Sequence, residues 1–293
     1  MRHSFEIAGG SVAGRDHVAA GRNNQDAFAW HQDERCTIAV VCDGCSEGPH
    51  SEVGANLIAR GMVHAIRDAI AHPVVSGGEH GEPDITLALP DDLESVLEKA
   101  RGDARAVLYD LAMSGIAGSL DAVPRFVRDH LLATTVGCII ARWGTAVFSV
   151  GDGVYAVNGV VTPIGPFPGN EPPYLAYDLL PQSTLRRSMA LQFQVHTIMP
   201  TESASSVLLG TDGVGDFIAA ADRNMPGKDE LVGPLSQFWT DDRYFRNPDM
   251  VRRRLTLVNR EAVRVENGML ARTPGLLPDD TTVVVVRRRA NLS

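Results

Sequence analysis

Residues 37–44, TIAVVCDG, end an apolar run typical of a buried β-strand with an aspartate and a glycine. Three further apolar runs have an aspartate at one end, and the four residues are Asp43, Asp152, Asp212 and Asp279. Two carboxylates about 4 Å apart repel each other by roughly 4 kcal/mol at an effective dielectric constant near 20, so such a cluster needs cations to hold it together. If these strand ends meet at one rim, the sequence predicts a metal site there.

The order of strand and aspartate sets a condition on the fold. Asp43, Asp152 and Asp212 follow their apolar runs, whereas Asp279 precedes the run VVVV in PDDTTVVVV. All four carboxylates can therefore share one rim only if the last strand runs opposite to the others. Asp280 directly follows Asp279, so a slip of one residue in the register would exchange the two.

Hydrophobic periodicity predicts the other elements. Strands are expected at residues 4–12 and 35–42, with a loop from His17 to Asp26 between them. Apolar residues at helical spacing predict helices at 51–72, 91–113, 123–129 and 249–265. Short turns separate the β-type runs of residues 131–161 and favour antiparallel pairing, so the pattern predicts a β-sandwich flanked by helices.

The composition is that of an ordinary globular chain. It has 293 residues, 44% of them hydrophobic, and a formal net charge of −9, which argues against non-specific nucleic-acid binding. No apolar run approaches the ~20 residues that span a bilayer, and no signal peptide is recognisable, so we expect a cytoplasmic protein without a membrane partner. One domain is expected over residues 1–293, with a Pro- and Gly-rich surface insertion near 73–90 and a flap-like loop near 163–182.

The four cysteines indicate reduced thiols. Cys36, Cys42, Cys45 and Cys138 lie mostly in or beside strand-like runs, without the regular spacing of a disulfide framework. Cys42 and Cys45 form a C-x-x-C, which could serve as a redox pair or as half of a zinc site. No second C-x-x-C completes a ligand set, so free thiols are the expectation.

Six short motifs occur in the order of one known family. They are NNQDAF (23–28), VVCDGCSEG (40–48), ATTVG (133–137), FSVGDG (148–153), LLGTDGVGDF (208–217) and PDDTTVVVV (278–286). Together they resemble the motifs of metal-dependent Ser/Thr phosphatases of the protein phosphatase 2C family, in a bacterial branch with NQD in place of NED. The resemblance covers nearly the whole chain. It implies an α+β fold, a four-layer α-β-β-α sandwich of antiparallel sheets flanked by helices.

The resemblance also implies a site. Asp43 would bridge two Mn²⁺ or Mg²⁺ ions, with the Gly44 carbonyl as a further ligand, and Asp212 and Asp279 would complete the binuclear centre. Asp26 would orient metal-bound water, which two such ions can deprotonate near neutral pH. Asp152 matches the position that, with Asp212, holds a weaker third metal in the family. Asp216 matches an aspartate near the same centre.

Three positions depart from the family pattern. Gln25 stands where better-known members have a glutamate that faces the metal waters, so Gln25→Glu should tighten metal binding if the side chain points there. Gly21 occupies the usual position of the phosphate-binding arginine, which leaves Arg22, or else Arg15 or His17, to bind phosphate. Cys45 replaces the histidine that protonates the leaving group in many animal members, and His17, His50 or water are its candidate substitutes.

The expected function is metal-dependent hydrolysis of phosphoserine and phosphothreonine in proteins, with a partner kinase supplying the substrate. A C-x5-R nucleophile loop is absent, which excludes the cysteine-dependent phosphatases. Two alternatives stay open at this point. One is a pseudophosphatase that acts as a regulatory binding module, which the changes at Gln25, Gly21 and Cys45 favour. The other is a phosphatase for a small metabolite, since the chemistry does not itself require a protein substrate.

Overall fold

Two five-stranded antiparallel sheets, one two-stranded hairpin and eight α-helices make up the described parts of the computed structural model. These parts are residues 1–71, 91–116, 119–180, 191–266 and 269–290. The first sheet has the strand order β1-β12-β9-β6-β7. Its strands are β1 (Phe5–Val12), β6 (Gly153–Val157), β7 (Val160–Ile164), β9 (Ser206–Gly210) and β12 (Thr281–Arg288).

The second sheet has the strand order β2-β3-β4-β5-β8. Its strands are β2 (Ala27–Gln32), β3 (Cys36–Cys42), β4 (Thr135–Ala141), β5 (Gly144–Val150) and β8 (Gln194–Met199). A separate hairpin joins β10 (Ala262–Glu266) to β11 (Met269–Thr273). Neighbouring strands pair antiparallel throughout, and short turns connect some of the pairs, such as β2 with β3 and β4 with β5.

The helices form two groups on the outer faces of the sheets. Those packed against the second sheet are α2 (Glu52–Ala71), α3 (Asp91–Gly115) and α4 (Val123–His130). Those packed against the first sheet are α5 (Val214–Ala219), α6 (Gln237–Thr240), α7 (Arg243–Arg246) and α8 (Met250–Asn259). The short helix α1 (Arg15–Ala19) follows β1 and has no buried residue.

Alternation along the central strands explains the four layers. In β3, Ile38 and Val40 pack with the first helix group, whereas Ala39 and Val41 face the opposite sheet. In β12, Val283 and Val285 face the second helix group, whereas Val284 and Val286 lie between the sheets. A strand with apolar residues on both faces needs a cover on each side, so the continuous apolar runs specify a sandwich between helical layers.

The predicted fold class is confirmed: the chain is α+β, with antiparallel sheets flanked by helices. The condition on the last strand is also met, because β12 pairs antiparallel with β9. The predicted helix at 249–265 is wrong in its second half. Helix α8 ends at Asn259, whose side chain donates to the Ala13 carbonyl at 2.8 Å and accepts from the Leu277 amide at 3.1 Å, and β10 then begins at Ala262.

Helix α1 and strand β2 are among the elements that the sequence did not predict, and two predictions fall wholly or partly outside the described residues. The predicted loop from His17 to Asp26 begins inside α1, and β2 follows it. The alternation of β2 is obscured by its polar and half-exposed residues, of which Trp30 is one. The insertion predicted near 73–90 lies outside the described residues, as do residues 181 and 182 of the predicted flap-like loop.

Within the described ranges, no single helix is long and apolar enough to cross a membrane. Two consecutive helical segments, Leu93–Gly115 and Leu120–His130, are long and apolar enough only when taken together, and the chain bends by 118° between them.

Two glycines of α2 provide a matched test of the packing of α2 against Leu131, which directly follows α4. A Cβ at Gly54 would lie 2.6 Å from the backbone of Leu131, whereas a Cβ at Gly61 meets no atom within 4 Å. Gly54→Ala should lower the free energy of unfolding by about 1–3 kcal/mol, because the helix must shift. Gly61→Ala should raise it by about 0.4–1 kcal/mol through the unfolded chain. Urea denaturation measures both, and equal effects would contradict the close approach at Gly54.

Candidate active site

Four carboxylates predicted from the strand ends line one cavity. Its volume is about 600 Å³, and Asp43, Asp152, Asp212 and Asp279 contribute to its wall together with Gly44. Asp43 follows β3 of the second sheet, whereas Asp212 and Asp279 lie at the ends of β9 and β12 in the first sheet. The cavity therefore opens at the rim where the two sheets meet.

Backbone hydrogen bonds fix the loop that carries Asp43. The Thr134 amide donates to the Asp43 carbonyl at 2.8 Å, and the Cys45 amide donates to the Leu132 carbonyl at 2.9 Å. Gly44 pairs with Ala133 as an isolated antiparallel bridge. The loop after β3 thus runs in register beside the segment that leads into β4, which holds the Asp43 side chain at the rim.

The glycines of the Asp-Gly pairs permit close approach of other groups. A Cβ at Gly44 would lie 2.7 Å from both the Gln25 carbonyl and the Ser51 hydroxyl. A Cβ at Gly213 would overlap the Asp280 carbonyl. Any larger residue would push the neighbouring groups away from the rim, so packing requires glycine at both positions.

Like charge and burial raise the pKa values of the cluster. The pKa of Asp43 is well above its ordinary value because of burial and then because of Asp26, Asp212, Asp279 and Asp152. Burial, followed by the charge of Asp212, raises the pKa of Asp152 to about 6. The pKa of Asp279 is raised by burial and then by Asp212 as well. A divalent cation among these oxygens would reverse the penalty, and hard oxygen ligands of this kind suit Mg²⁺ or Mn²⁺.

Asp26 lies behind the cavity wall and is only 5% exposed. Its Oδ2 accepts a hydrogen bond from the Thr211 hydroxyl at 2.7 Å, next to Asp212 in the chain. Its Oδ1 is buried and has no partner among the described residues. Burial, above all, raises its pKa well beyond the ordinary value. An unsatisfied buried carboxylate oxygen beside the cluster fits a partner such as an ordered water or a hydrated cation.

The register at the last strand separates two neighbouring aspartates. Asp280 is buried and accepts hydrogen bonds from the amides of Gly14, at 2.6 Å, and Gln25, at 2.5 Å. Asp279 is half-exposed and lines the cavity. Asp280 thus ties two loops together, while Asp279 is the one that faces the rim.

Comparisons with known proteins identify the family and the fold of the chain. A family model described as protein phosphatase 2C matches residues 13–244. The chain belongs to the protein phosphatase 2C family. Among solved structures, the serine-threonine phosphatase 2C of Toxoplasma gondii has a similar fold, with a TM-score of 0.57, 14% identity and coverage of 98% of this chain and 95% of that chain. A bacterial serine phosphatase point mutant gives a TM-score of 0.53 at 14% identity, covering 99% and 100% of the two chains. No curated protein matches the chain.

Besides Asp26, three predicted site residues of this phosphatase 2C chain are not among the described residues that line the cavity. The Nδ1 of His17 lies 2.9 Å from Asp280 Oδ2, and its Nε2 lies 4.0 Å from Asp279 Oδ1. The Nη1 of Arg22 donates to the Ser46 carbonyl at 2.5 Å. Asp216 lies in the first turn of α5, and its pKa is raised by burial and then by Asp212. The Arg22 side chain is thus occupied by the Ser46 carbonyl, whereas His17 lies against Asp280, behind the cavity residue Asp279.

The side chain of Gln25 is turned toward the loop after Asp43. It is buried, and its Nε2 donates to the Gly48 carbonyl at 2.6 Å. The expectation that an acid here would face metal waters therefore does not match this geometry. The reason is that the tight turn at Gly48 presents a carbonyl that requires a donor.

Several residues that line the cavity have no function predicted from the sequence. Arg128 of α4 is the only arginine or lysine among the described lining residues. Tyr174 and Tyr177 line it too, in the segment predicted to be flap-like, and acidic side chains contribute at the outer wall. Tyr174 lies in the Pro-rich stretch NEPPYL (170–175), within the predicted flap-like loop, which was a usable signal. No sequence signal pointed to Arg128, because its exposure to the cavity depends on how α4 packs.

A pH dependence follows for the metal-free phosphatase 2C domain. Because the folded-state pKa of Asp152 is about 6, above its ordinary value of 3.8, the folded state binds more protons between these values. This contribution to stability is therefore present below about pH 4 and is lost as the pH rises to about 6. With EDTA present, the melting temperature of Asp152→Asn should fall less over this range than that of the wild type. Parallel profiles would contradict the raised pKa.

Bound Mn²⁺ should oppose that loss. Because the ligands bind metal as carboxylates, adding Mn²⁺ should raise the melting temperature more at pH 7 than at pH 4.5. Equal increases at the two pH values would argue that the cation binds elsewhere.

The Gln25 geometry gives a separate prediction. Gln25→Glu replaces the donor to the Gly48 carbonyl with an acceptor, so the free energy of unfolding should fall by about 1–3 kcal/mol, and Mn²⁺ affinity should not rise. The control is Gln192→Glu, the same change at an exposed position. Calorimetric titration and urea denaturation measure the two effects. Tighter Mn²⁺ binding without loss of stability would mean that the new carboxylate turns toward the metal site.

Proposed function

We propose that the chain hydrolyses phosphoserine and phosphothreonine in proteins with two bound Mn²⁺ or Mg²⁺ ions. The observation that carries the proposal is the convergence of Asp43, Asp212 and Asp279 from two different sheets on one cavity. Like charges gathered in this way are costly in a purely structural role, because burial and then the neighbouring carboxylates raise the pKa of Asp43. Membership of the phosphatase 2C family supports the same reaction.

The ligand set of the proposed centre is drawn from the rim. The second sheet would contribute two ligands, Asp43 and the Gly44 carbonyl. The first sheet would contribute Asp212 and Asp279. Asp152 lies close enough to Asp212 for that charge to raise its pKa, which suits a third, weaker ion between them. Asp216 is the further candidate at that position. When bound, such ions lower the pKa of water and neutralise charge on the phosphoryl group.

The protein groups around the centre have proposed roles of their own. Asp26 would orient the attacking water through its free Oδ1, since Thr211 already occupies Oδ2. His17 would position Asp279 and Asp280 rather than act on the substrate, given its contacts with both. Arg22 remains the proposed phosphate ligand from the sequence, and binding would require it to release the Ser46 carbonyl.

The proposed substrate is a phosphorylated protein made by a partner kinase in the cytoplasm. The cavity supports this choice, because it is open enough to be lined by exposed side chains such as Glu47, Arg128 and Glu171. These side chains would contact residues on either side of the phosphorylated one. The proposed extent of the phosphatase unit is the whole chain, because the motif aspartates run from Asp26 to Asp279.

Substitution of the cluster tests the function. Asp43→Asn and Asp212→Asn should each reduce hydrolysis of a phosphothreonine peptide by more than about 100-fold, since several kcal/mol of charge stabilisation depend on the ions. Both variants should remain folded, because removal of one carboxylate relieves repulsion in the metal-free state. Turnover of the peptide and of para-nitrophenyl phosphate, with and without Mn²⁺, measures the effect.

The matched control is Asp229→Asn, which removes an exposed carboxylate far from the rim in sequence. It should hydrolyse both compounds at the wild-type rate. Full activity in Asp43→Asn would overturn the assignment of the centre. A wild-type protein that binds Mn²⁺ but hydrolyses neither compound would overturn the enzymatic function itself.

A further inference from the structure

One cysteine thiol lies beside an imidazole and a carboxylate, away from the cavity. Cys36 is buried at the start of β3. Its sulfur, a ring nitrogen of His31 and a carboxylate oxygen of Asp33 all lie within 4.8 Å of one another. Among the described residues, a second group of three meets the same distance, and it includes Asp279 of the proposed centre. The cluster of His31, Asp33 and Cys36 is separate from that centre.

The hairpin of β2 and β3 explains why these three side chains meet. Residues two apart on a strand share a face, and so do residues paired across an antiparallel ladder. His31 pairs with Ile38, which lies two residues after Cys36, so His31 and Cys36 lie on the same face. Asp33 joins them at the turn, where its amide donates to the Cys36 carbonyl at 3.0 Å.

Backbone hydrogen bonds orient the Asp33 carboxylate. Its Oδ1 accepts from the amides of Arg35, at 2.7 Å, and Cys36, at 2.8 Å. Its Oδ2 lies 3.1 Å from Nε2 of His31. One carboxylate oxygen is therefore held by the turn while the other faces the imidazole. Carboxylates that bind metals are oriented by outer hydrogen bonds of this kind.

The separations between the ligand atoms suit a tetrahedral zinc ion. Zn²⁺ binds nitrogen and oxygen at about 2.0–2.2 Å and thiolate sulfur at about 2.3 Å, so two ligand atoms on one tetrahedral ion are about 3.3–3.6 Å apart. The 3.1 Å between His31 and Asp33 is close to this value, and the Cys36 sulfur lies within 4.8 Å of both. A set of sulfur, nitrogen and oxygen ligands favours Zn²⁺ over Mg²⁺ and Mn²⁺, which prefer oxygen.

We propose that His31, Asp33 and Cys36 bind one Zn²⁺ ion at the turn between β2 and β3, with water in the fourth position. Solvent reaches the site, because the side chains of His31 and Asp33 are 27% and 41% exposed, while the apolar core encloses Cys36. On binding, the Cys36 thiol loses its proton to solvent. The sulfur, the imidazole nitrogen and the carboxylate oxygen each share an electron pair with the ion, whose oxidation state does not change.

The zinc site lies at the opposite end of β3 from the carboxylate cavity. Cys36 is the first residue of this seven-residue strand, and Asp43 follows its last residue. At about 3.3 Å per residue, the two ends are roughly 20 Å apart. Zn²⁺ at the turn therefore contacts no ligand of the proposed hydrolytic centre. It instead links β2 to β3 and stabilises the fold by its binding free energy.

Absorption spectroscopy with Co²⁺ tests the thiolate ligand. Co²⁺ substitutes for Zn²⁺ in such sites, and a thiolate bound to Co²⁺ gives a charge-transfer band in the near ultraviolet that oxygen and nitrogen ligands do not give. With excess Mg²⁺ present, the full chain should develop this band on addition of one equivalent of Co²⁺. Cys36→Ser should lose the band. The control is Cys45→Ser, which removes the thiol in the cavity wall and should keep it.

The same band reports on the other two ligands. Zn²⁺ displaces Co²⁺ and bleaches the band, so the two titrations give affinities at this site alone. His31→Ala and Asp33→Asn should each weaken binding by at least about 10-fold, because even an outer hydrogen bond to a ligand contributes that much. Asp33→Asn keeps an oxygen for the two turn amides, so the hairpin should remain intact.

Another histidine of the chain provides a matched control. His64 Nδ1 also lies 3.1 Å from a carboxylate, that of Asp68, but the pair lies on α2, which contains no cysteine. His64→Ala should bind both ions as the wild type does. Thermal melting in EDTA shows whether each variant is folded. If Cys36→Ser does not fold, the comparison of His31→Ala and Asp33→Asn with the wild type decides.

Three results would overturn the zinc site. One is a wild-type protein that shows no thiolate band with Co²⁺. Another is loss of the band in Cys45→Ser instead of Cys36→Ser, which places the ion in the carboxylate cavity. The third is wild-type affinity in His31→Ala or in Asp33→Asn, which leaves too few ligands at the turn. None of these readouts depends on turnover, so the zinc site and the proposed phosphatase function stand or fall separately.

Discussion

Repulsion among carboxylates at the rim of the two sheets is the constraint on which the rest of the structure depends. Asp43 comes from one sheet and Asp212 and Asp279 from the other, and burial together with the neighbouring charges raises the free energy of the charged forms of Asp43 and Asp279. The fold must therefore hold them together against their own electrostatics. It does so with the apolar layer between the sheets, in which residues such as Val41, Leu209 and Val284 are almost fully buried.

The rim is organised by backbone contacts more than by side-chain pairing. The Asp43 loop is bonded to the segment before β4, and Asp280 gathers the amides of Gly14 and Gln25 from two other loops. Asp280 consequently stabilises the loops, and Asp279 faces the cavity. This division explains how two adjacent aspartates serve different purposes without competing for one position.

The strand-end aspartates were predictable because each borders a continuous apolar run, which is a strong signal for a buried strand. VVCDG and VVVV could be placed from sequence, and the direction of β12 then followed from geometry alone. The short strand β2 and the end of α8 were not predictable, since tertiary bonds such as those of Asn259 override local preference there. The orientation of Gln25 also depends on a carbonyl, that of Gly48, which no local pattern reveals.

The positions of Tyr174 and Cys45 in the cavity wall could not be predicted from the sequence either. Tyr174 and Cys45 are far apart in the chain, and their meeting depends on the packing of the 3-10 helix Leu175–Leu179 on α3. That packing is stabilised by buried apolar side chains and by the ion pair between Arg101 and Asp178. The same apolar cluster also contains Cys42, which directly precedes Asp43, and Ala133, which pairs with Gly44. Tyr174 and the loop that carries Asp43 therefore depend on one core, and a change in that core should move both sides of the cavity.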